Sequence, residues 1–148
     1  MRYTEHIADY TFTTAEMLTL HNEIIIVPAQ GAKKIIVPTA IFVRYTPGDT
    51  PYSPGPAISV GYAGDTNPSF QSSLIGNADS DEQPVFEYNM PITGKSDTAA
   101  LNKALVVMSD VEITEGNGVL QVSVEYRIME VDYNKQVLKS NTRIYDNE

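Results

Sequence analysis

Gly94-Lys95-Ser96 is the first place where residue types and spacing suggest a reaction. A phosphate-binding loop needs a glycine five residues before its last one, so that backbone N–H groups can cradle the phosphate. Asn89 stands there, Pro91 removes a donor from inside the loop, and no helical pattern opens at Ser96. His6 and His21 are the only histidines. A catalytic zinc takes three protein ligands, and neither histidine lies in an HExxH pattern. Asp79-Ser80-Asp81-Glu82 sets carboxylates at alternate positions, as the start of a calcium loop does. Pro84 and Met90 then stand where an EF-hand needs its glycine and its bidentate glutamate. The stretch reads as a solvated acidic loop that could meet a cation or a basic partner surface. Ser59-Val60-Gly61 lacks the preceding glycine of a nucleophile elbow. The absence of cysteine excludes disulfides, thiolate metal sites and cysteine nucleophiles. No catalytic residue, cofactor or metal is expected.

Tyr45, Tyr52 and Tyr62 fall on or beside loops and could stack on sugars. The commoner role of tyrosine in a β protein is to pack its ring in the core with its hydroxyl at the rim.

The charge narrows the partners. The 148 residues carry 19 acids and 10 bases, a net charge of −9. Such a chain lacks the clustered Lys and Arg that displace counterions from nucleic acid, and it would be repelled by anionic lipid. From Tyr45 to Gly94 there is no Lys or Arg, while Asp49, Asp65, Asp79, Asp81, Glu82 and Glu87 all fall there. This acidic middle suits a sign-matched contact with a basic surface. Ile35 to Val43, broken by Pro38 and Thr39, is the longest mostly apolar stretch. It falls far short of the roughly 20 residues of a membrane helix. Met1 to Tyr10 has no apolar h-region, so no secretory signal is expected.

The elements that must position these residues read as short strands separated by recurrent Pro and Gly. That pattern predicts one all-β domain over 1–148, an antiparallel β-sandwich or jelly roll of about seven to eight strands. A polar N-terminal segment (1–12) and a C-terminal arm (134–148) flank it. Thr13-Thr14-Ala15-Glu16 fits a capping box and predicts at most one short helix, near the N-terminus. Strands are expected over Glu23–Val27, Lys33–Tyr45, Ala57–Tyr62 and Val85–Tyr88, with Phe70–Ile75 weaker. In Lys33–Tyr45, simple alternation puts Ile35, Val37, Ile41, Val43 and Tyr45 on one face and Ile36, Ala40 and Phe42 on the other. Pro38 lacks a backbone donor and belongs at an edge, a bulge or a break. Thr46–Pro56 (TPGDTPYSPGP) is a long loop able to reach a neighbour. Ala104–Ile113 and Val119–Val131 flank Glu115-Gly116-Asn117-Gly118, which predicts a tight type I′ hairpin.

Two blocks carry a resemblance. Met17–Tyr45 (MLTLHNEIIIVPAQGAKKIIVPTAIFVRY) resembles the opening of small virion proteins of tailed bacteriophages, in which an "LN…P…LV…PGAGK…IVP" segment leads into a long apolar strand. Leu101–Ile128 resembles their closing "NKPL" strand, Gly-rich turn and final strand with a late tyrosine. Here Ala104 replaces the usual proline, and Gln30-Gly31-Ala32-Lys33 departs from PGAGK. The resemblance implies a non-enzymatic all-β structural protein of the capsid surface (decoration or cement type) or head–tail region. It would reside in the virion, be assembled in the host cytoplasm, and contact the major capsid protein or neighbouring virion proteins. A homo-oligomer, with a trimer favoured, is the implied state. The alternative is a tail-associated β-sandwich binding module, an adhesin or carbohydrate binder. Candidate interface residues are Ile36, Phe42, Tyr52, Asp49, Asp79, Asp81, Glu82, Met129 and Tyr145, with Ala40 among the apolar positions expected to close only on assembly.

Overall fold

The computed structural model describes residues 4–66, 68, 70–73, 75, 84–89, 96–132 and 137–140. The strands among them are β1 (His6–Phe12), β2 (Ile24–Val27), β3 (Lys34–Pro47), β4 (Ile58–Tyr62), β5 (Phe70–Ser72), β6 (Val85–Asn89), β7 (Leu105–Ser109), β8 (Gly118–Asp132) and β9 (Val137–Ser140). Two short helices join them, α1 (Thr14–Leu18) and α2 (Asp97–Ala100). None of the described helices is long and apolar enough to cross a membrane.

The strands pair in a nested order. β1 pairs β8, β2 pairs β7, β3 pairs β6 and β4 pairs β5, all antiparallel. The chain from β1 to β8 is thus one long hairpin, rolled up so that β3 also meets β8 and β4 meets β7. Two sheets result, β1-β8-β3-β6 with β9 beside β8, and β2-β7-β4-β5. This is a jelly roll, as the strand spacing suggested. It buries Leu120, Val122 and Val124 of β8 against Val60 of β4 and Leu105 and Val107 of β7 in one core cluster.

The local signals explain both helices. Thr13 caps α1 with its side chain on the Glu16 N–H at 3.1 Å, and Glu16 accepts from the Thr13 N–H at 2.9 Å. The second helix was not expected. Ser96 opens it, its Oγ accepting from the Ala99 N–H at 3.3 Å. The serine of the apparent phosphate motif is therefore a helix cap, while Gly94 and Lys95 lie outside the described residues. The N-terminal segment read as polar contributes β1, whose alternate residues Ala8, Tyr10 and Phe12 pack on the core. Val137–Ser140 of the expected arm pairs with β8, and the rest of that arm lies outside the described residues.

Two sequence expectations are corrected. Ala104–Ile113 and Val119–Val131 do not form a hairpin: β7 and β8 belong to opposite sheets, and residues 110–117 cross between them. Gly116 and Gly118 both have φ near +130°, while Asn117 does not take the positive φ a type I′ turn needs. Both glycines serve close approach instead. A Cβ on Gly116 would lie 2.5 Å from Tyr52 Cα, and one on Gly118 2.7 Å from the Tyr45 hydroxyl.

The second correction is the face assignment in β3. Pro38 pairs Tyr126 and Ala40 pairs Glu125, so Thr39 is an extra residue, a β-bulge. One extra residue reverses every later side chain relative to simple alternation. Ile36 therefore points inward with Ile41, Val43 and Tyr45, while Ala40 and Phe42 share the outer face with Val37.

Candidate functional site

Strand register builds the outer face of the five-stranded sheet row by row. Ile7, Glu125 and Ala40 form one row across β1, β8 and β3. Asp9, Ser123, Phe42 and Tyr88 form the next, and Thr11, Gln121, Arg44 and Phe86 the third. This face should be polar if β6 alternated in the usual way, with aromatics in and its acid out. It does the reverse. Phe86 and Tyr88 are 67% and 61% exposed, and Ile7 is 64% exposed on the opposite side of the same face. Phe42 stacks on Phe86, ring centres 5.6 Å apart and planes 21° apart.

Glu87 explains the inversion. Its side chain takes the core-facing side of β6, and Ser72 Oγ of β5 donates to Glu87 Oε1 at 2.7 Å. That bond satisfies an inward carboxylate across the sandwich edge, so both aromatic neighbours are turned to solvent. β6 also ends the strand path of its sheet. Edge strands are the usual points of intermolecular pairing.

Small residues in the middle of the face, with large ones at its sides, make a depression. Ala40 and Ser123 form its floor between Ile7 and Asp9 on one side and Phe42 and Tyr88 on the other, with Glu125 at the rim. Its volume is about 340 Å³, within the general range of ligand-sized clefts. The cations described on this face are engaged within the chain. Arg127 Nε pairs with Glu5, and Arg44 Nη1 donates to Gln121 Oε1 at 3.0 Å. Asp9 accepts from Ser123 Oγ.

The expected interface residues that are described do not gather at one place. Phe42 lies on this face. Met129, half-buried, lies further along β8, opposite Ile35 on one side and Ser140 on the other. Ile36 is 1% exposed and Tyr52 is 4% exposed, so both belong to the fold's own packing, a correction to their expected role at a surface. Ala40 is equally a buried residue, though it lines the depression. Asp49 is exposed, two residues beyond the end of β3. Asp79, Asp81, Glu82 and Tyr145 lie outside the described residues. Ile7, Phe86 and Tyr88 were missed by sequence reasoning. The signal for the last two, an acid between two aromatics in Val85-Phe86-Glu87-Tyr88, becomes readable once the Ser72 contact is known.

The loop expected at Thr46–Pro56, whose first two residues instead extend β3, is tied to its own chain rather than extended towards a neighbour. The Ser53 N–H donates to the Glu115 carbonyl at 3.0 Å, and the Thr50 N–H to Asn117 Oδ1 at 3.0 Å. Tyr45, Tyr52 and Tyr62 are all buried, which removes them as sugar-stacking platforms. The Tyr52 hydroxyl donates to the Gly118 carbonyl at 2.9 Å, and the Tyr62 hydroxyl to the Ile36 carbonyl at 2.6 Å. Burial, with Asp65 adding to it, pushes the Tyr62 phenol up to about 12. Burial also raises Tyr45 and Tyr52 above the usual phenol value.

Among the described residues, no three His, Asp or Glu side chains come together as a metal site. His6 stacks on Tyr126 with ring centres 5.1 Å apart, and His21 Nε2 lies 3.3 Å from the Asn22 amide.

No family model matches the sequence, and no curated protein matches it. Solved structures are similar to this chain over most of its length. One is the acidic stable capsid structure of Helicobacter pylori bacteriophage KHP30, at 15% identity and a TM-score of 0.48, covering 89% of this chain and 97% of that one. Another is the capsid asymmetric unit of cyanophage Pam1, at 17% identity and a TM-score of 0.47, covering 84% of each chain.

Proposed function

We propose that this chain is a structural subunit of a tailed-phage virion, of the capsid decoration or cement type, and that it acts by binding rather than catalysis. The observation that carries this is the outward placement of Ile7, Phe86 and Tyr88 on the five-stranded sheet, the last two on an edge strand. Large side chains turned to water by the fold itself mark a surface that is covered in the assembled state. Complete burial of such a side chain stabilises a contact by about 1.5–3 kcal/mol. Repetition on a symmetric shell multiplies contacts that are weak singly. The resemblance of Met17–Tyr45 and Leu101–Ile128 to tailed-phage virion proteins supports the setting. The sugar-binding reading loses its three tyrosines to the interior.

The test is co-sedimentation of the full chain with empty capsids of its cognate phage, with its mass in solution measured in parallel. The expected result is binding that Phe86→Ser with Tyr88→Ser weakens by tenfold or more, at unchanged thermal stability. A chain that stays monomeric and remains in the supernatant overturns the proposal.

A further inference from the structure

The geometry points to the chemistry of the partner: the depression between Ile7 and Tyr88 receives a protein segment that inserts an apolar side chain over Ala40 and Ser123 and sets a Lys or Arg against Asp9 and Glu125. This rests on the assembly reading above and specifies what the outer face recognises.

Shape comes first. Ala40 and Ser123 are the small residues in two adjacent rows of the face, flanked by Ile7 on β1 and by Phe42 and Tyr88 on β3 and β6. A floor of small side chains between large walls admits one aliphatic or aromatic side chain.

Charge selects the second group. Among the described residues, the lining includes two carboxylates, Asp9 and Glu125, and no cation. The two arginines described on this face are already engaged, Arg127 by Glu5 and Arg44 by Gln121. An incoming carboxylate would face unopposed like charge, whereas an incoming ammonium or guanidinium would form charge-assisted hydrogen bonds. The same bias disfavours a second copy of this chain, which carries a net charge of −9 and no Lys or Arg from Tyr45 to Gly94.

The full isotopically labelled chain is titrated with two synthetic peptides and followed by NMR. One alternates valine and lysine, and the other alternates valine and glutamate. The expected result is saturable shifts of the Ala40, Ser123 and Glu125 amides with the lysine peptide alone, weakened by high salt. Asp9→Asn with Glu125→Gln should reduce that affinity about tenfold, with the thermal midpoint unchanged because both sites are on the surface. Equal response to both peptides, no shift at these amides, or full affinity in the double variant overturns the inference. Concentration-dependent shifts at the same amides without peptide assign the face to a second copy and overturn it too. A chain that sediments with capsids but ignores the lysine peptide refutes this inference alone. One that binds the peptide but not capsids refutes the virion reading alone.

Discussion

Aromatic side chains do opposite work at two places in this molecule. At the Thr46–Pro56 loop, Tyr45 and Tyr52 pack at 6.1 Å between ring centres, both are buried, and the Tyr52 hydroxyl ends on a backbone carbonyl. On the outer face of the five-stranded sheet, Phe86 and Tyr88 are held outward by a carboxylate turned the other way. The first group ties a proline-rich loop to the crossing between β7 and β8. The second adds little to the fold and is free to add to a contact. Residue type alone does not separate the two roles; what the neighbouring residue bonds to does.

The sharpest way to break this contrast is Tyr52→Ala. It should lower unfolding free energy by about 3–5 kcal/mol, as loss of a buried aromatic does, and denaturant melts would show it. Gly116→Ala should follow, at about 2–4 kcal/mol, because its Cβ meets backbone and its φ is positive. Tyr62→Phe removes one hydroxyl and should cost about 1 kcal/mol. It carries a pH signature. The Tyr62 phenol ionises near 10 when unfolded and about 12 when folded, so its contribution is complete below pH 10 and is lost as pH rises through 12. Stability measured across that window should fall less steeply in the Phe variant. Phe86→Ser should be the smallest, within about 0.5 kcal/mol, while its effect on capsid co-sedimentation should be the largest of the set. A large loss of stability there would erase the distinction between the two regions.

Sequence patterns reached the strands whose own residues decide their faces. β8 alternates strictly, and the capping box at Thr13 depends on two residues three apart. The jelly roll itself followed from the number of short strands and their turn signals. What could not be read depended on partners remote in sequence. The bulge at Thr39 exists only relative to β8 and moves Ile36 from one face to the other. Asn117 and its flanking glycines look like a hairpin turn, but they are shaped by Tyr45 and Tyr52 some 70 residues earlier. The outward pair on β6 is set by a serine in the opposite sheet. The acidic run Asp79–Glu82 lies beyond the described residues.

The nested pairing has a consequence for synthesis. β8 is flanked by β1 and β3 in the middle of its sheet, yet it follows β1–β7 in the chain. Until it is made, β1 has no neighbour in its sheet. The sheet that carries the outward aromatics therefore cannot close gradually as the chain emerges. It must form late and through contacts between distant segments, the topology associated with folding in milliseconds to seconds rather than microseconds. During that interval β3 lacks one of its two neighbours, and an unpaired strand exposed during folding is a point of misassociation.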